Sequence, residues 1–303
     1  NGLPRANGGS FAPAVSPDGR YVAFESLATN LVTGILDTNL ATDIFLRDLT
    51  EGRTVLVSKH ATTNPTGSAA SSAPAFSADR TRLLFLSNAT NLIAGVTNTS
   101  GDVYVRDLPN NVNIWVSRNA ASLRSALTNS FPANAKYRCY NAVVSANGRY
   151  VAFKMALDAT YPAAGIFRHD LLTGGTEVVA TNLVASLTGG NDLTGPVMSA
   201  DGRFVAYEGR NDRTTFPAGL PLIGLWDGDT AQSELISVNF QRTAAAFGPT
   251  LASVAGGSES PALSPDGRYV AFLSYATNLI AGLMNPTCQV YVRDRQARVT
   301  RAV

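Results

Sequence analysis

The sequence predicts an all-β chain that repeats one unit of four short antiparallel strands. The first observation is a nine-residue box, Ser-Pro-Asp-Gly-Arg-Tyr-Val-Ala-Phe, at 16–24, which recurs unchanged at 264–272. Three altered copies lie between, at 77–85, 145–153 and 199–207, so the five copies are spaced by 61, 68, 54 and 65 residues. The second observation is that no stretch keeps an apolar period of 3.6 residues, which makes helix a minor element. Such a recurrence indicates an array of one supersecondary motif.

Each unit contains four runs of strand composition, separated by turn or loop signals. In the first unit an apolar run at 11–16 leads to the tight-turn residues Pro17-Asp18-Gly19, and 21–24 is β-branched and aromatic. A polar loop follows, and then a third run at 43–49, a turn at 50–53 and a fourth run at 54–58. The second run is apolar at successive positions, so we expect both faces of that strand to be covered.

Four antiparallel strands per repeat are typical of the blade of a β-propeller. A lone blade cannot bury two apolar faces, whereas blades stacked around an axis cover one another. We therefore predict one five-bladed domain, residues 1–303, with blades at approximately 1–59, 60–118, 119–181, 182–238 and 239–303. Either the ring closes by packing of its end blades alone, or the chain is a piece of a longer tandem array. The usual range of about four to eight blades favours the closed ring.

The box, the Ala-Thr-Asn-Leu that follows it and the Arg-Asp-Leu end of the third strand together resemble the WD40-like PD40 repeat of TolB-type bacterial propellers. The resemblance covers essentially the whole chain and weakens in units three and four, where 154–162 and 208–213 replace the Ala-Thr-Asn-Leu loop. It implies a propeller fold, a periplasmic or extracellular protein, and a binding or scaffolding role. It brings no catalytic residues and no cofactor.

Composition sets modest bounds on function. The net charge is +2, from 24 basic and 22 acidic residues, and no basic run exceeds two, so nothing indicates a nucleic-acid partner. No apolar stretch approaches the roughly 20 residues of a membrane helix, so membrane insertion is not expected. No signal peptide is visible, which favours a processed chain or a fragment. Cys139 and Cys288 fall in units that are not neighbours, so we predict two separate, partly buried thiols, with a disulfide in an oxidising compartment as the weaker alternative.

Two sets of acids recur once per unit, and we expect both to have structural causes. The turn positions are Asp18, Asp79, Asn147, Asp201 and Asp266, where the side chain caps a tight turn. Unit two has Arg80 in place of the turn glycine, so a distorted or longer turn is expected there. The acids at the end of the third strand are Asp48, Asp107, Asp170, Asp227 and Asp294. Turn capping and a strand-edge ion pair explain these; a five-fold binding site of Arg-Asp pairs is the alternative.

Metal and histidine chemistry have little support in the sequence. Asp37, Asn39 and Asp43 place oxygen ligands at alternating positions, loosely like a calcium loop, but the sharp-turn glycine and the late glutamate are missing. We expect an ordinary polar turn, with a structural Ca²⁺ as the weaker alternative. His169 is expected to replace Arg in a strand and His60 to lie in a solvated linker, so neither zinc nor a Ser-His-Asp site is indicated.

The strands expected to line the axis lack acid–base groups. The first strands, at 11–15, 73–76, 140–144, 194–198 and 260–263, contain no acid, histidine or lysine, and Asp192 and Glu259 lie only at the entrances to two of them. Glycosidic-bond cleavage needs a pair of carboxylates, so an enzyme is not expected.

The sequence therefore predicts a non-enzymatic propeller that binds or scaffolds another protein, of unknown identity, in the bacterial envelope or outside the cell. Long segments that differ between units, at 118–138, 212–222 and 239–258, would carry recognition. The alternative is a lectin-like propeller that binds a glycan. Its aromatic candidates are Tyr137, Tyr161, Phe216, Phe247 and Tyr275. A propeller hydrolase is the third hypothesis.

Overall fold

Five four-stranded antiparallel sheets make up the computed structural model, and in each the strand order follows the chain. The structure describes residues 6–35, 37, 39–60, 66–127, 136–157, 163–184, 195–210, 221–238, 257–282 and 287–303. The predicted all-β propeller with five four-stranded blades is confirmed.

The blades have the following bounds. Blade one is β1 (Ser10–Val15), β2 (Tyr21–Ser26), β3 (Asp43–Asp48) and β4 (Arg53–Leu56). Blade two is β5 (Ser71–Phe76), β6 (Arg82–Ser87), β7 (Asp102–Asp107) and β8 (Val112–Trp115). Blade three is β9 (Tyr137–Val144), β10 (Tyr150–Leu157), β11 (Ala163–Asp170) and β12 (Thr176–Val184). Blade four is β13 (Val197–Met198), β14 (Phe204–Arg210), β15 (Pro221–Asp227) and β16 (Gln232–Leu235). Blade five is β17 (Ser258–Leu263), β18 (Tyr269–Ser274), β19 (Gln289–Asp294) and β20 (Val299–Ala302).

Helix is confined to one short segment in the described chain. After blade two, the 3₁₀ turn Val116–Asn119 runs into α1 (Ala120–Leu123) and a second 3₁₀ turn, Arg124–Ala126. Val116, Ala120 and Leu127 are buried in the core between blades two and three. This part of the variable segment 118–138 therefore packs inward.

The first strands lie at the axis, as the sequence predicts, because β1 contacts β5, β5 contacts β9, β9 contacts β13 and β13 contacts β17. Four of them carry a bulge with one residue at positive φ, namely Ala12 (44°), Ala73 (56°), Asn141 (48°) and Ser260 (54°). In blade one the bulge lies between the pairs Phe11↔Glu25 and Ala14↔Ala23. A bulge bends the strand and increases its twist, which curves the innermost strand.

Each blade presents two apolar faces, which we name from blade one. The trailing face carries Tyr21, Ala23, Ile44 and Leu46, and the leading face carries Val22, Phe24 and Phe45, following the alternation of side chains along a strand. The trailing face of blade one packs on the leading face of blade two, where Leu83, Phe85 and Tyr104 are buried. The equivalent positions form the cores between blades two and three, three and four, and four and five.

The outer faces of the two end blades remain accessible. On the trailing face of blade five, Val290 is 42% exposed, whereas its equivalents Ile44, Val103, Ile166 and Ile223 are at most 2% exposed. On the leading face of blade one, Val22 is partly exposed, while Leu83, Val151, Val205 and Val270 are fully buried. The packing of blade five on blade one that a closed ring requires is therefore not seen among the described residues.

Candidate functional site

Both tight turns of every blade lie at the same end of the propeller, which we call the turn face. In an antiparallel four-stranded sheet, the turn between strands one and two and the turn between strands three and four come at one end, and the loop between strands two and three comes at the other. The turn face thus gathers both sets of repeated acids.

The turn between strands one and two is held by its own side chains. The Ser16 hydroxyl donates to Asp18 Oδ1 (2.6 Å) and accepts from the Tyr21 N–H (2.9 Å), and Asp18 Oδ1 also accepts from the Arg20 N–H (3.1 Å). The hydrogen bond from Ser16 is the main cause that lowers the pKa of Asp18 to about 2. The same serine-to-carboxyl or serine-to-amide bond recurs in every blade, from Ser77, Ser145, Ser199 and Ser264. The structural role predicted for these acids is confirmed.

The turn of blade two keeps the geometry of the others, so the expected distortion is wrong. Arg80 adopts a φ of 66°, close to the 73° of Gly19, and its N–H donates to Ser77 O as the Gly19 N–H donates to Ser16 O. The left-handed conformation is disfavoured for a residue with a Cβ but is not forbidden. Arg80 also reaches Asp18 of blade one at 3.1 Å.

The acids at the end of the third strand cap a turn and accept an ion pair, as predicted, but their partner comes from the box. Arg149 donates to both oxygens of Asp170 (3.1 and 2.8 Å), and Arg203 does the same to Asp227 (2.7 and 2.8 Å). The other pairs are Arg20 with Asp48, Arg82 with Asp107, and Arg268 with Asp294, at 2.7, 2.8 and 2.7 Å. Each pair joins the start of strand two, or the turn just before it, to the end of strand three.

In four of the five pairs the pKa of the acid is lowered, which favours its ionised form. The guanidinium of Arg20 lowers the pKa of Asp48 to about 2, and that of Arg268 lowers the pKa of Asp294 to about 2. Asp48 Oδ1 also accepts from the N–H groups of Thr50 and Glu51 (2.9 and 3.1 Å). A carboxylate held this way is unsuited to proton transfer near neutral pH. The five-fold site of Arg-Asp pairs is thus a row of paired, neutralised charges.

One cavity on the turn face lies between blades three and four and has a volume of about 650 Å³. At its base Arg168, which is 5% exposed, lies between the rings of Tyr150 (4.3 Å) and Trp226 (4.6 Å). Its guanidinium donates to Gly202 O (2.6 Å) and to Glu177 (2.9 and 2.6 Å). The cavity is therefore a rigid, strongly polar cleft.

His169, next to Arg168, takes the position of arginine in other blades, as predicted. Its Nδ1 lies 2.9 Å from Thr176 Oγ1, while Arg47 and Arg293 reach the equivalent threonines at 3.2 Å. Burial lowers the pKa of His169. The imidazole is neutral near pH 7 as a result.

Two smaller clefts lie between other blades on the same face. One, of about 220 Å³, lies between blades one and two, and its lining includes Tyr21, Asp48 and Arg106. The other, of about 400 Å³, lies between blades two and three, and its lining includes Arg82, Asp107 and Arg149. Three consecutive seams thus open onto the turn face with charged walls.

The candidate calcium loop is a hydrogen-bonded polar turn. Asp43 is buried, and its carboxyl accepts from the Ser58 hydroxyl (2.7 Å) and the Asn39 amide (3.3 Å). Asp37 Oδ1 accepts from the N–H groups of Asn39 and Leu40. Burial, with a smaller effect of Asp37, raises the pKa of Asp43 to about 7. The carboxyls of this loop are thus engaged by donors of the protein, as in a polar turn. Within the described residues, no three His, Cys, Asp or Glu side chains form a metal-binding group.

Of the five aromatic candidates, the structure describes two, Tyr137 and Tyr275, which lie in blades three and five. Tyr137 lies in β9, packs against the core between blades two and three, and has Arg124 over its ring (5.6 Å). Tyr275 lies just after β18 in blade five and is partly exposed. Tyr161, Phe216 and Phe247 lie outside the described residues, as do 212–220 and 239–256 of the variable segments.

The axial strands carry more charge than the sequence predicts. β17 begins at Ser258, so Glu259 lies within the strand and not at its entrance, and β9 includes Arg138. Glu25, on β2, accepts from the N–H of Ala73 in the bulge of β5 (2.8 Å). Both cysteines are free, as predicted, but only Cys288 is partly buried. Cys139 is fully buried in the core between blades two and three, and this burial raises its pKa.

None of the helices in the described chain is long and apolar enough to cross a membrane.

Comparison with known proteins concerns the fold alone. No protein-family model and no curated protein sequence matches the chain. Among solved structures, a TolB from Acinetobacter baumannii is 18% identical over 97% of this chain and 53% of that one, with a TM-score of 0.42. An oligogalacturonate lyase in complex with manganese is 15% identical over 95% and 63%, with a TM-score of 0.53. The β-propeller domain of the Trilobed protease from Pyrococcus furiosus is 10% identical over 99% and 72%, with a TM-score of 0.49.

The chain thus spans about half the length of the TolB protein and less than two thirds of the lyase. At these identities the likeness concerns architecture and transfers no activity. Together with the five repeated blades, it shows that the chain has a β-propeller fold, as the resemblance to TolB-type repeats implies.

Proposed function

We propose that the chain is a non-enzymatic, protein-binding scaffold of the bacterial envelope or extracellular space, and that it binds its partner through the turn face. The observation that carries the proposal is the row of three charged clefts between consecutive blades. Fixed charges of both signs along a groove suit an extended protein segment with charged and polar side chains, because complementary charge steers and orients a partner.

The chemistry of the clefts favours recognition over catalysis. The pKa values of Asp48, Asp170 and Asp227 are lowered, with hydrogen bonds from Arg20, Arg149 and Arg203 among the causes. A general acid or base works best with a pKa near the operating pH. Fixed pairs instead provide preorganised hydrogen-bonding surfaces, which reduces the cost of ordering side chains on binding.

A variant that fills the cleft between blades three and four tests the proposal. Thr173 lies at the rim of the cavity in an exposed turn of blade three, so Thr173→Trp should obstruct the cleft without removing an arginine or its principal acid. The matched control is Thr33→Trp, in the exposed loop between β2 and β3 at the opposite end of blade one. Partners are identified by chemical crosslinking in the native source, and binding of the purified partner is then titrated.

We expect Thr173→Trp to weaken binding of the partner by at least about tenfold, because the added indole side chain would occupy space that the partner fills in the cleft. We expect Thr33→Trp to leave the affinity for the partner unchanged. Equal binding by both variants would mean that the partner is held elsewhere. Turnover of oligogalacturonate by the purified chain, with or without manganese, would contradict the non-enzymatic assignment. Immunodetection after cell fractionation tests export, and a purely cytoplasmic signal would exclude it.

A further inference from the structure

The two ends of the blade array expose more apolar side chain than the internal seams do, although Tyr207, the blade-four equivalent of Phe24, and Tyr21, Tyr150 and Phe204, the equivalents of Tyr269, are also partly exposed. On blade five, Tyr269 is 40% exposed and Ala271 is partly exposed, whereas Ala23, Ala152 and Ala206 are fully buried. On blade one, Phe24 is partly exposed, whereas Phe85, Phe153 and Phe272 are at most 2% exposed. Contiguous apolar surface of this kind usually marks a place where another surface packs.

The two exposed faces are of opposite kinds, and the complement of each is already present in the molecule. The trailing face of blade five repeats the residues Tyr21 and Ala23 of blade one, whose trailing face is covered by Leu83 and Phe85 of blade two. The leading face of blade one repeats Val270 and Phe272 of blade five, whose leading face is covered by Ala206 and Leu225 of blade four. By analogy with these seams, the trailing face of blade five should bind a leading face, and the leading face of blade one should bind a trailing face.

The packing around the turns between strands one and two also shows that the two end faces are uncovered. In blades three and four, the rings of Tyr150 and Phe204 lie over the turn glycines of the next blade, Gly202 and Gly267. The equivalent ring of blade five, Tyr269, is exposed, and no atom lies within 4 Å of a side-chain position at Gly19 of blade one. The outer face of blade five thus lacks the turn of a following blade, and the outer face of blade one lacks the ring of a preceding blade. We call these two faces together the terminal slot.

We propose that this slot binds one further four-stranded blade of the same repeat type, with its leading face on blade five and its trailing face on blade one. A single blade matches both faces at once. A lone blade cannot bury its own two faces, so the occupant is supplied in tandem with other repeats and not as an independent small protein. The inference rests on the exposure of these side chains and is independent of the function proposed for the turn face.

Thiol labelling of the intact chain tests the proposal. The reporters are Val290→Cys on blade five and Val22→Cys on blade one, each in a Cys288→Ser background. Val270→Cys, in the buried seam between blades four and five, is the protected control, and Leu172→Cys, in an exposed turn of blade three, is the labelled control.

Each variant is compared with an extended chain in which a second copy of residues 58–118 follows Val303. This joint keeps the phase of the repeat, since the Val303 N–H donates to Val290 O as the Val57 N–H donates to Ile44 O. Blade two is the matched donor, because its leading face already packs on a face of the blade-five type.

We expect both reporters to label readily in the chain and at least about tenfold more slowly in the extended chain, since a packed thiol reacts only when the seam opens. A matched extension with Phe85→Asp in the added copy should restore fast labelling. Slow labelling of the unextended monomer would overturn the proposal, because the ring then closes on itself. Protection that appears only at high concentration would overturn it in favour of a second copy, and unchanged labelling in a folded extended chain would exclude the added blade.

Discussion

Truncating the same phenylalanine in the two identical boxes measures whether the end faces are covered. Phe272 is 2% exposed in the seam between blades four and five, whereas Phe24 is partly exposed on the open face of blade one. Both rings stack on a partner of their own blade at nearly the same centroid distance, 5.9 Å to Tyr291 and 5.8 Å to Phe45. The stacking contribution therefore cancels, and the difference reports on the seam.

The magnitude follows from the buried area. A buried phenylalanine removes at least about 150 Å² from water, which at about 25 cal/mol per Å² gives roughly 4 kcal/mol, within the usual 3–5 kcal/mol for Phe→Ala. We expect this loss for Phe272→Ala. For Phe24→Ala we expect about half, roughly 2 kcal/mol, because no neighbouring blade contributes.

Urea unfolding followed by circular dichroism gives the free energy of unfolding of each variant, with the slope as a check that the extent of unfolding is unchanged. Equal losses at the two positions would refute the reasoning, because the leading face of blade one would then be as well covered as that of blade five.

Two further predictions concern strain and buried charge. Arg80→Gly should raise the free energy of unfolding by about 0.5–1 kcal/mol, because glycine adopts positive φ without the Cβ clash and the exposed pair with Asp18 contributes little; Arg80→Ala, which keeps the strain, should give no gain in the same urea titration. Burial raises the pKa of Asp102 to about 6, so the folded chain holds a proton that the unfolded chain loses, and stability falls as pH rises from about 4 to 6. Asp102→Asn does not titrate, so relative to the parent it should gain on the order of 2–3 kcal/mol between about pH 4 and pH 7, and a pH-independent difference would contradict this.

The fold could be predicted from the sequence because each box contains both a turn signal and a strand signal. Asp-Gly marks a turn, and the β-branched and aromatic run after it marks a strand. Five such boxes imply stacked sheets, since one sheet cannot cover both of its faces. Blade two showed the limit of this reasoning. Residue preferences disfavour Arg80 at the positive φ of the turn, but they do not tell whether the hydrogen bonds of the turn can offset that strain.

The site was harder to predict because it depends on strand register. Asp48 follows Arg47 in sequence, yet its partner is Arg20, which the pairing Tyr21↔Asp48 brings to the same edge. The arginine after the turn glycine recurs in four boxes, so its repetition was an available signal. Nothing in the sequence marks Asp43 as buried, because its environment comes from Ser58 and Asn39, across the sheet and the loop.

Arg168, whose guanidinium lies between Tyr150 and Trp226, affects which of the similar blades can pack next to each other. An apolar seam between almost any two blades would offer similar contacts, which invites misassembly while the chain folds. Blade four alone presents an indole at that position; blades one, two and five present Arg47, Arg106 and Arg293 there. Placing the cation of Arg168 against any of these would set two like charges together in a buried seam. At this seam blade three therefore favours blade four over blades one, two and five, which specifies one junction of the array.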